Sequence, residues 1–358
     1  MNMAALLLGL LVAVATAEPA LATEPARFVV AGYAPDYRLG SLNLPAMGKS
    51  LSHVILFSIS PLANGSLASE SIAPVHMMQV GRVKASNPAL RALISVGGGG
   101  RSEHYASVAT DKKARKRFAK SLAKYCSRNK LDGADLDWEA PSNAEEAAAY
   151  QALAERVRKE FDRATPRLEL TMAVHPGGHV EMLEAATRAV DRVHLMAYDM
   201  PDRDPERCHS SEEATASAVA EALAAGIPRE KLVMGLPFYG RDTSDPRRAE
   251  AYRDLWRRRG PDDAGDLVGR YCFNSLMTVM RKAVLAAREG LAGVMIWELG
   301  QDDDHMVGHG SRPLLPGIGS VASLAPSVGW QAGKQLDEAA ANSLLALSTA
   351  GRGSKEEL

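Results

Sequence analysis

Short runs of β-branched and apolar residues recur along this chain, and longer segments with helical spacing of apolar positions separate them. Eight such runs are predicted to be strands, at residues 27–33, 52–60, 91–97, 132–138, 167–174, 191–198, 231–238 and 291–299. The segments between them predict helices at 73–86, 111–129, 143–164, 180–189, 211–225 and 275–289. Regular alternation of this kind favours a parallel sheet covered by helices.

Eight strands that are each followed by a crossover close naturally into a (β/α)8 TIM barrel, an α/β fold with its active site at the C-terminal strand ends. The alternative, an open doubly wound sheet, would need a Gly-rich phosphate-binding turn directly after the first strand. Residues 32–37, GYAPDY, contain no such turn. The run SVGGGG at 95–100 follows the third strand without GxGxxG spacing or a lysine, so we interpret it as allowing close backbone approach beneath a ligand.

The two ends of the chain differ from this pattern. Residues 1–22 are typical of a signal peptide, because an apolar run at 4–14 is followed by small residues, although no Lys or Arg precedes it. That run is shorter than the roughly 20 residues that span a bilayer, so we expect a secreted or periplasmic protein with no membrane attachment after cleavage. One catalytic domain is expected over 25–325, then a C-terminal helix near 337–348 and a flexible tail within 326–358. The final KEEL would act as an endoplasmic-reticulum retention signal only in a eukaryote.

Composition narrows the classes of partner. Hydrophobic residues make up 46% and charged residues 24% of the 358 positions, which is ordinary for a globular protein. A formal net charge of −1 provides no global field for a polyanion, and the basic stretch at 112–117 is interpreted as a solvated helix face. Nucleic acid is therefore not an expected partner. A monomer is expected.

The three cysteines, Cys126, Cys208 and Cys272, are too few for a disulfide framework and odd in number. In a barrel, Cys208 and Cys272 both fall on segments at its upper side and could pair, whereas Cys126 falls in a helix. Three unpaired thiols are the alternative, and the sequence leaves the choice open. No metal is expected, because the acidic and histidine residues at 302–309 show no legible ligand spacing.

Candidate chemistry concentrates in the fourth predicted strand, LDGADLDWE at 131–139. Because side chains alternate across a strand, Asp135, Asp137 and Glu139 project to one face while Ala134 and its even-numbered neighbours project to the other. Same-face neighbours lie about 7 Å apart, so three carboxylates in a barrel interior cannot all ionise independently. Glu139, nearest the C-terminal end of the strand, is the predicted general acid, and Asp137 is the group that couples to it.

The run DGADLDWE resembles the DGxDxDxE signature of glycoside hydrolase family 18, the chitinase family. Other segments resemble that family in order along the chain, namely SVGG at 95–98, MAYD at 196–199, GLPFYGR at 235–241 and WELGQD at 297–302. The resemblance implies a secreted retaining hydrolase of β-1,4-linked N-acetylglucosamine polymers, with chitin or its oligosaccharides as the substrate. It implies no cofactor.

The resemblance also implies roles for particular residues. In substrate-assisted hydrolysis, which departs from the usual two-carboxylate scheme, Glu139 would protonate the glycosidic oxygen while the substrate's acetamido group attacks the anomeric carbon. Asp137 would accept a hydrogen bond from the acetamido N–H. Asp135, supported by Ser95, would lie below Asp137 and share a proton with it. The implied sugar-binding residues are Tyr198, Asp199, Trp297, Tyr33, Tyr239 and Arg241. Tyr33 and Tyr239 could instead be core aromatics, and Arg241 could be a loop salt bridge.

The sequence departs from the family pattern on one side of the predicted groove. Gly99 stands where an aromatic often follows the SxGG motif, and Ala140 stands where an aromatic often follows the catalytic acid. The α+β insertion before the eighth strand should be short or absent. These departures keep two alternatives open, a non-catalytic lectin-like relative and a hydrolase of another N-acetylglucosamine-containing glycan such as peptidoglycan.

Overall fold

The eight predicted strands all form. The structure, a computed structural model, describes residues 28–138, 141–204, 206–259, 265–302 and 313–325. In chain order the barrel strands are β1 (Val29–Pro35), β2 (His53–Pro61), β3 (Arg91–Gly97), β4 (Gly133–Asp137), β5 (Glu169–Val174), β6 (Arg192–Leu195), β7 (Leu232–Pro237) and β8 (Gly293–Trp297). Predicted leader, C-terminal helix and tail residues lie outside the described ranges.

The strands close into a parallel barrel. Each strand pairs with the next one along the chain, and β1 pairs both with β2, at Ala31 and His53, and with β8, at Val29 and Gly293. A parallel arrangement places all C-terminal strand ends at one face of the molecule. The predicted (β/α)8 TIM barrel is confirmed.

Helices lie between the strands and outside them. Their bounds are Asp36–Leu39, Leu44–Met47, Pro74–Ser86, Tyr105–Thr110, Lys112–Arg128, Ala144–Phe161, Gly178–Thr187, Glu212–Ala224, Tyr252–Arg259, Leu276–Arg288 and Leu314–Leu324. All six predicted helices are present within a few residues of their expected ends. Asn143 begins one of them by accepting a hydrogen bond from the backbone N–H of Glu146 at 2.9 Å. In the described part of the chain, no helix is both long and apolar enough to cross a bilayer.

Two apolar clusters follow from the alternation of side chains along the strands. The larger lies between barrel and helices and receives Ala134, Leu136 and Trp138 from β4 and the residue after it. The smaller lies inside the barrel and is rich in aromatic residues towards the C-terminal strand ends, including Tyr33, Phe57 and Tyr198. The odd-numbered carboxylates of β4 therefore point into the barrel interior, as the sequence predicts.

The segment between β7 and β8 forms a small unit beside the barrel. Its antiparallel strands are Tyr239–Asp242, Ala249–Ala251, Leu267–Val268 and Tyr271–Cys272, and the helix Tyr252–Arg259 packs with them. The insertion is thus short, as expected. A disulfide joins Cys208, in the segment after β6, to Cys272 of this unit, and Cys126 is a buried free thiol.

At the opposite end of the barrel, Glu169 lies buried at the start of β5 with only 3% of its surface exposed. It forms ion pairs with Arg91, whose Nε lies 2.7 Å from Oε2, and with Arg192, and His53 Nε2 lies 3.3 Å from the same carboxylate. Burial alone would raise the pKa of Glu169, but His53, Arg192 and Arg91 together lower it to about 2.

Replacing Glu169 with glutamine is expected to flatten the acid dependence of stability. In the wild type the unfolded state binds more protons than the folded state between the ordinary pKa of 4.5 and about 2, so stability falls as pH falls through this window. The variant should have a lower melting temperature at pH 7 and a shallower decline between pH 5 and 2, measured by circular dichroism. Glu230→Gln, which removes an exposed carboxylate from the same end, is the control, and an unchanged slope in Glu169→Gln would contradict this account.

Candidate active site

An open cavity of about 250 Å³ lies at the C-terminal ends of the barrel strands. Of the residues predicted for the site, those that line it are Tyr33, Asp137, Tyr198, Asp199 and Trp297. They come from four strand ends and from the segments that follow them, and the closed barrel brings them together. The cavity occupies the position at which this fold carries its active sites.

Asp135 lies directly beneath the cavity and has no exposed surface. Three hydroxyl groups donate to its carboxylate, from Thr171 at 2.5 Å, Tyr33 at 2.9 Å and Ser95 at 3.2 Å. Hydrogen bonds of this kind stabilise the charged form of a carboxyl group, and they supply the polar partners that a buried carboxylate requires. Asp135 is therefore held in one orientation inside the barrel by three hydroxyl groups.

Asp137 lies one step further along β4 and is 4% exposed. Its backbone carbonyl accepts from Gly98 N at 2.6 Å. Gly97 and Gly98 have φ angles of 92° and 84°, and a Cβ at Gly98 would stand 2.3 Å from the ring of Phe57. The Gly-rich run thus permits a close approach to Asp137 and Phe57 that no other residue could make. Glu139 and Ala140 lie outside the described residues.

Aromatic rings form the apolar floor of the cavity. Trp297, at the end of β8, packs edge-on against Phe57 with ring centroids 4.7 Å apart, and Tyr33 lies 5.6 Å away. These contacts fix the orientation of the indole. An aromatic face beside buried carboxylates suits a sugar ring, whose apolar C–H face stacks on aromatics while its substituents form hydrogen bonds.

Asp199 carries a second charge at the cavity wall and is held from behind by the insertion. Arg241 donates two hydrogen bonds to its carboxylate, at 2.7 Å and 2.6 Å, and the Tyr239 hydroxyl donates a third at 2.8 Å. His209 Nδ1 lies 3.2 Å from the same group. Burial alone would raise the pKa of Asp199, but His209 and Arg241 lower it well below its usual value.

This arrangement gives Tyr239 and Arg241 a definite position. Both bind Asp199, and neither lines the cavity. Asp199 itself has a φ of 58°, in the left-handed region that non-glycine residues seldom adopt. Asp199 therefore combines an unusual backbone conformation with a carboxylate that several partners hold in place, as is common at functional sites. Direct sugar binding by Tyr239 or Arg241 stays a prediction.

Several cavity residues escaped the sequence analysis. Phe57 lines the cavity from β2, and His175 and Met196 line it from the residues directly after β5 and β6. Each follows the inward-facing alternation of its strand. Strand alternation was the signal that could have identified them. Tyr37 lies on the short helix Asp36–Leu39 and Arg101 on a turn, and neither gave such a signal.

Arg101 connects the short helix Asp36–Leu39 to β2 at the cavity edge. It donates to Asp36 Oδ2 at 2.7 Å and to the backbone carbonyl of Ser58 at 2.6 Å. Tyr37, adjacent to Asp36, lines the cavity with 65% of its surface exposed. Gly99 also lines the cavity, so the wall at this point has no side chain. No cluster of three or more metal-ligating side chains occurs in the part of the chain that the structure describes.

Comparison with known families agrees with this geometry. The model of the family described as glycosyl hydrolases family 18 matches residues 29–302, which include every barrel strand. The chain belongs to glycosyl hydrolases family 18. The family-like motifs of β3, β4, β6, β7 and β8 all meet at one end of the barrel in this member of the family.

Named proteins are similar to this chain at low identity. "Probable chitinase 2" of Drosophila melanogaster is 26% identical over 284 residues, covering 62% of this chain and 58% of that protein. A family 18 chitinase, ChiB, of Flavobacterium johnsoniae has a TM-score of 0.69 and 24% identity, covering 83% of this chain and 94% of the other. A chitinase-like agglutinin of Robinia pseudoacacia has the same TM-score and identity, with 84% and 99% covered. At such identities the structures establish the fold alone.

Proposed function

We propose that this chain hydrolyses β-1,4-linked N-acetylglucosamine glycans, chitin or its oligosaccharides, by retaining, substrate-assisted catalysis. The observation that carries the proposal is the stacked pair Asp135 and Asp137 on β4, with Asp135 bound by three hydroxyls beneath a cavity floored by Trp297. Two carboxylates at this depth need a function, because burying charge is costly unless it is used or fully compensated.

In the proposed reaction, Glu139 gives its proton to the glycosidic oxygen as the bond to the anomeric carbon breaks. The carbonyl oxygen of the substrate's acetamido group forms the new bond to that carbon, giving an oxazolinium ion. Water then adds to the anomeric carbon and gives a proton to Glu139, while the bond from that carbon to the acetamido oxygen breaks and the acetamido group is restored. Asp137 accepts a hydrogen bond from the acetamido N–H and offsets the positive charge that develops there.

The described residues support a place for each part of the sugar. Trp297 offers an apolar face for the ring, and Tyr198 and Asp199 offer polar groups at the same cavity wall. Asp199 is fixed by Arg241 and Tyr239, so it can hold a ligand without reorganising. Exposed Tyr37 provides a further stacking surface at the cavity edge.

The same geometry favours short oligosaccharides over long threaded chains. Gly99 leaves one wall without a side chain, and the insertion adds only a small antiparallel sheet beside the barrel. We therefore infer non-processive, endo-type cleavage. Holding the glycan without cleavage and cleaving another N-acetylglucosamine-containing glycan are the alternatives that a substrate panel separates.

We infer that the protein acts outside the cytoplasm. The apolar run at residues 4–14 supports export, as does the Cys208–Cys272 disulfide, because disulfides persist mainly in oxidising compartments.

Incubation with N-acetylchitohexaose tests the proposal. We expect shorter oligosaccharides by mass spectrometry, with the β-anomer of the new reducing end appearing first in proton NMR. The fully deacetylated hexamer and cellohexaose are matched substrates without the acetamido group, and they should remain intact. A peptidoglycan digest tests the wider glycan class.

Each result discriminates between functions. Binding of chitohexaose without any product would support the lectin-like alternative and end the enzymatic proposal. Cleavage of cellohexaose at a comparable rate would refute substrate assistance, because glucose has no acetamido group. Activity on peptidoglycan alone would show that the substrate is another N-acetylglucosamine-containing glycan and not chitin.

A further inference from the structure

A buried histidine lies inside the barrel next to the carboxylate network. His194, on β6, is 1% exposed, and its Nδ1 lies 2.9 Å from the hydroxyl oxygen of Tyr33. The same hydroxyl is 2.9 Å from Asp135 Oδ2, and His194 Nδ1 is 3.6 Å from Asp135 Oδ1. The Tyr33 hydroxyl is therefore held between a carboxylate and an imidazole.

Counting protons assigns the direction of these hydrogen bonds. Asp135 accepts hydrogen bonds from three hydroxyls, those of Tyr33, Ser95 and Thr171. The Tyr33 hydroxyl has one proton, which it donates to Asp135. The contact between Tyr33 and His194 Nδ1 then requires a proton on the imidazole, and Nδ1–H must donate to the Tyr33 oxygen.

The groups around His194 keep its imidazole neutral. Burial lowers the pKa of His194 to about 4, while Asp135 acts in the opposite direction. The other charged or titratable groups that face it are His53 on β2, Glu169 on β5 and Arg192 on its own strand. A neutral imidazole has a single N–H, so a proton on Nδ1 leaves Nε2 without one.

We propose that His194 is a positioning residue that directs the single proton of Tyr33 towards Asp135. Without this donor, the Tyr33 hydroxyl can rotate away, and Asp135 loses one of the three hydrogen bonds that hold its carboxylate in place. The kinetic consequence rests on the proposed function, whereas the position of the proton does not.

Nitrogen NMR of protein labelled with ¹⁵N-histidine tests the position of the proton directly. At pH 7 the signals of His194, assigned by their loss in His194→Asn, should show a neutral ring protonated at Nδ1. Tyr33→Phe removes the acceptor, so the ring should shift towards the Nε2–H form. A ring protonated at Nε2 in the wild type would overturn the proposal, whether or not the protein has hydrolase activity.

Kinetics on chitohexaose test the consequence. His194→Leu should lower kcat by about tenfold and leave KM within about twofold. His194→Asn keeps an N–H donor and should recover most of the rate. His53→Asn, which replaces a buried barrel histidine without contact to Asp135, is the control for a purely structural role and should lower the melting temperature while leaving kcat within about twofold.

These outcomes separate the alternatives. A kcat within about twofold of the wild type in a folded His194→Leu protein would refute the positioning role. If the wild type cleaves no glycan, the proposed hydrolase function fails while the NMR result still decides the position of the proton. If His194→Leu does not fold, the comparison of Tyr33→Phe with the wild type by NMR remains decisive.

Discussion

Glu139→Gln is expected to lower turnover of chitohexaose by about 10² to 10⁴-fold while leaving affinity for the oligosaccharide nearly unchanged. The amide has the size of the carboxyl group but cannot give a proton to the glycosidic oxygen. Initial rates and a separate binding measurement, by calorimetry, distinguish the two effects.

Glu145→Gln is the matched control for this variant. Glu145 is an exposed carboxyl in the first turn of the following helix, and its replacement should leave turnover within about twofold. A Glu139→Gln protein that retains near-normal turnover would show that another group is the acid. Equal loss of binding and turnover would instead indicate that the side chain mainly holds the substrate.

Asp137→Asn should have the second largest effect, a loss of about 10² to 10³-fold in kcat with KM within about threefold. The amide keeps the shape of the side chain but not its negative charge. That charge is needed only when positive charge develops on the acetamido group, so the transition state should be affected more than the bound substrate. Steady-state kinetics over a range of chitohexaose concentrations measure both constants.

Asp132→Asn is the matched control for Asp137→Asn. It makes the same Asp-to-Asn change beside the same strand but outside the cavity. Asp132 precedes β4 and pairs with Lys84, with Nζ 2.7 Å from Oδ2, at the opposite end of the barrel. Its replacement should alter melting temperature more than kcat. If Asp132→Asn reduced kcat as strongly as Asp137→Asn, the proposed role of Asp137 would be wrong.

The strands and longer helices were predictable because their signals are local. A strand such as β4 requires only alternating apolar and polar positions, and the helix at Ala144–Phe161 has an Asn cap and apolar positions with a helical period. The helices Tyr105–Thr110 and Tyr252–Arg259 were not predicted. The first is a short piece before a longer helix, and the second lies in the insertion, where packing against short strands stabilises it.

The position of Asp135 and Asp137 inside the barrel also followed from alternation. The partners of these residues did not. Thr171 and Ser95 reach Asp135 from neighbouring strands, and only the register of β3, β4 and β5 places Ser95 opposite Asp135 and Asp135 opposite Thr171. Register depends on how the whole barrel closes, so one sequence cannot specify such pairs by local pattern.

The contacts around Asp199 also could not be predicted from local sequence pattern. Asp199, His209, Tyr239 and Arg241 contact one another although up to 42 positions separate them, and the disulfide between Cys208 and Cys272 joins the same two segments. The sequence left the cysteine pairing open, because connectivity depends on which loops meet in space.

The sequence by itself determined the order of strands and helices, the family motifs and the inward face of β4, because each depends on residues within a few positions of one another. The tertiary structure alone decided which groups bind Asp135, which residues hold Asp199, and that Tyr33 lies between Asp135 and His194. These contacts join residues 10 to 161 positions apart, and they form only when closure of the barrel fixes the strands in register.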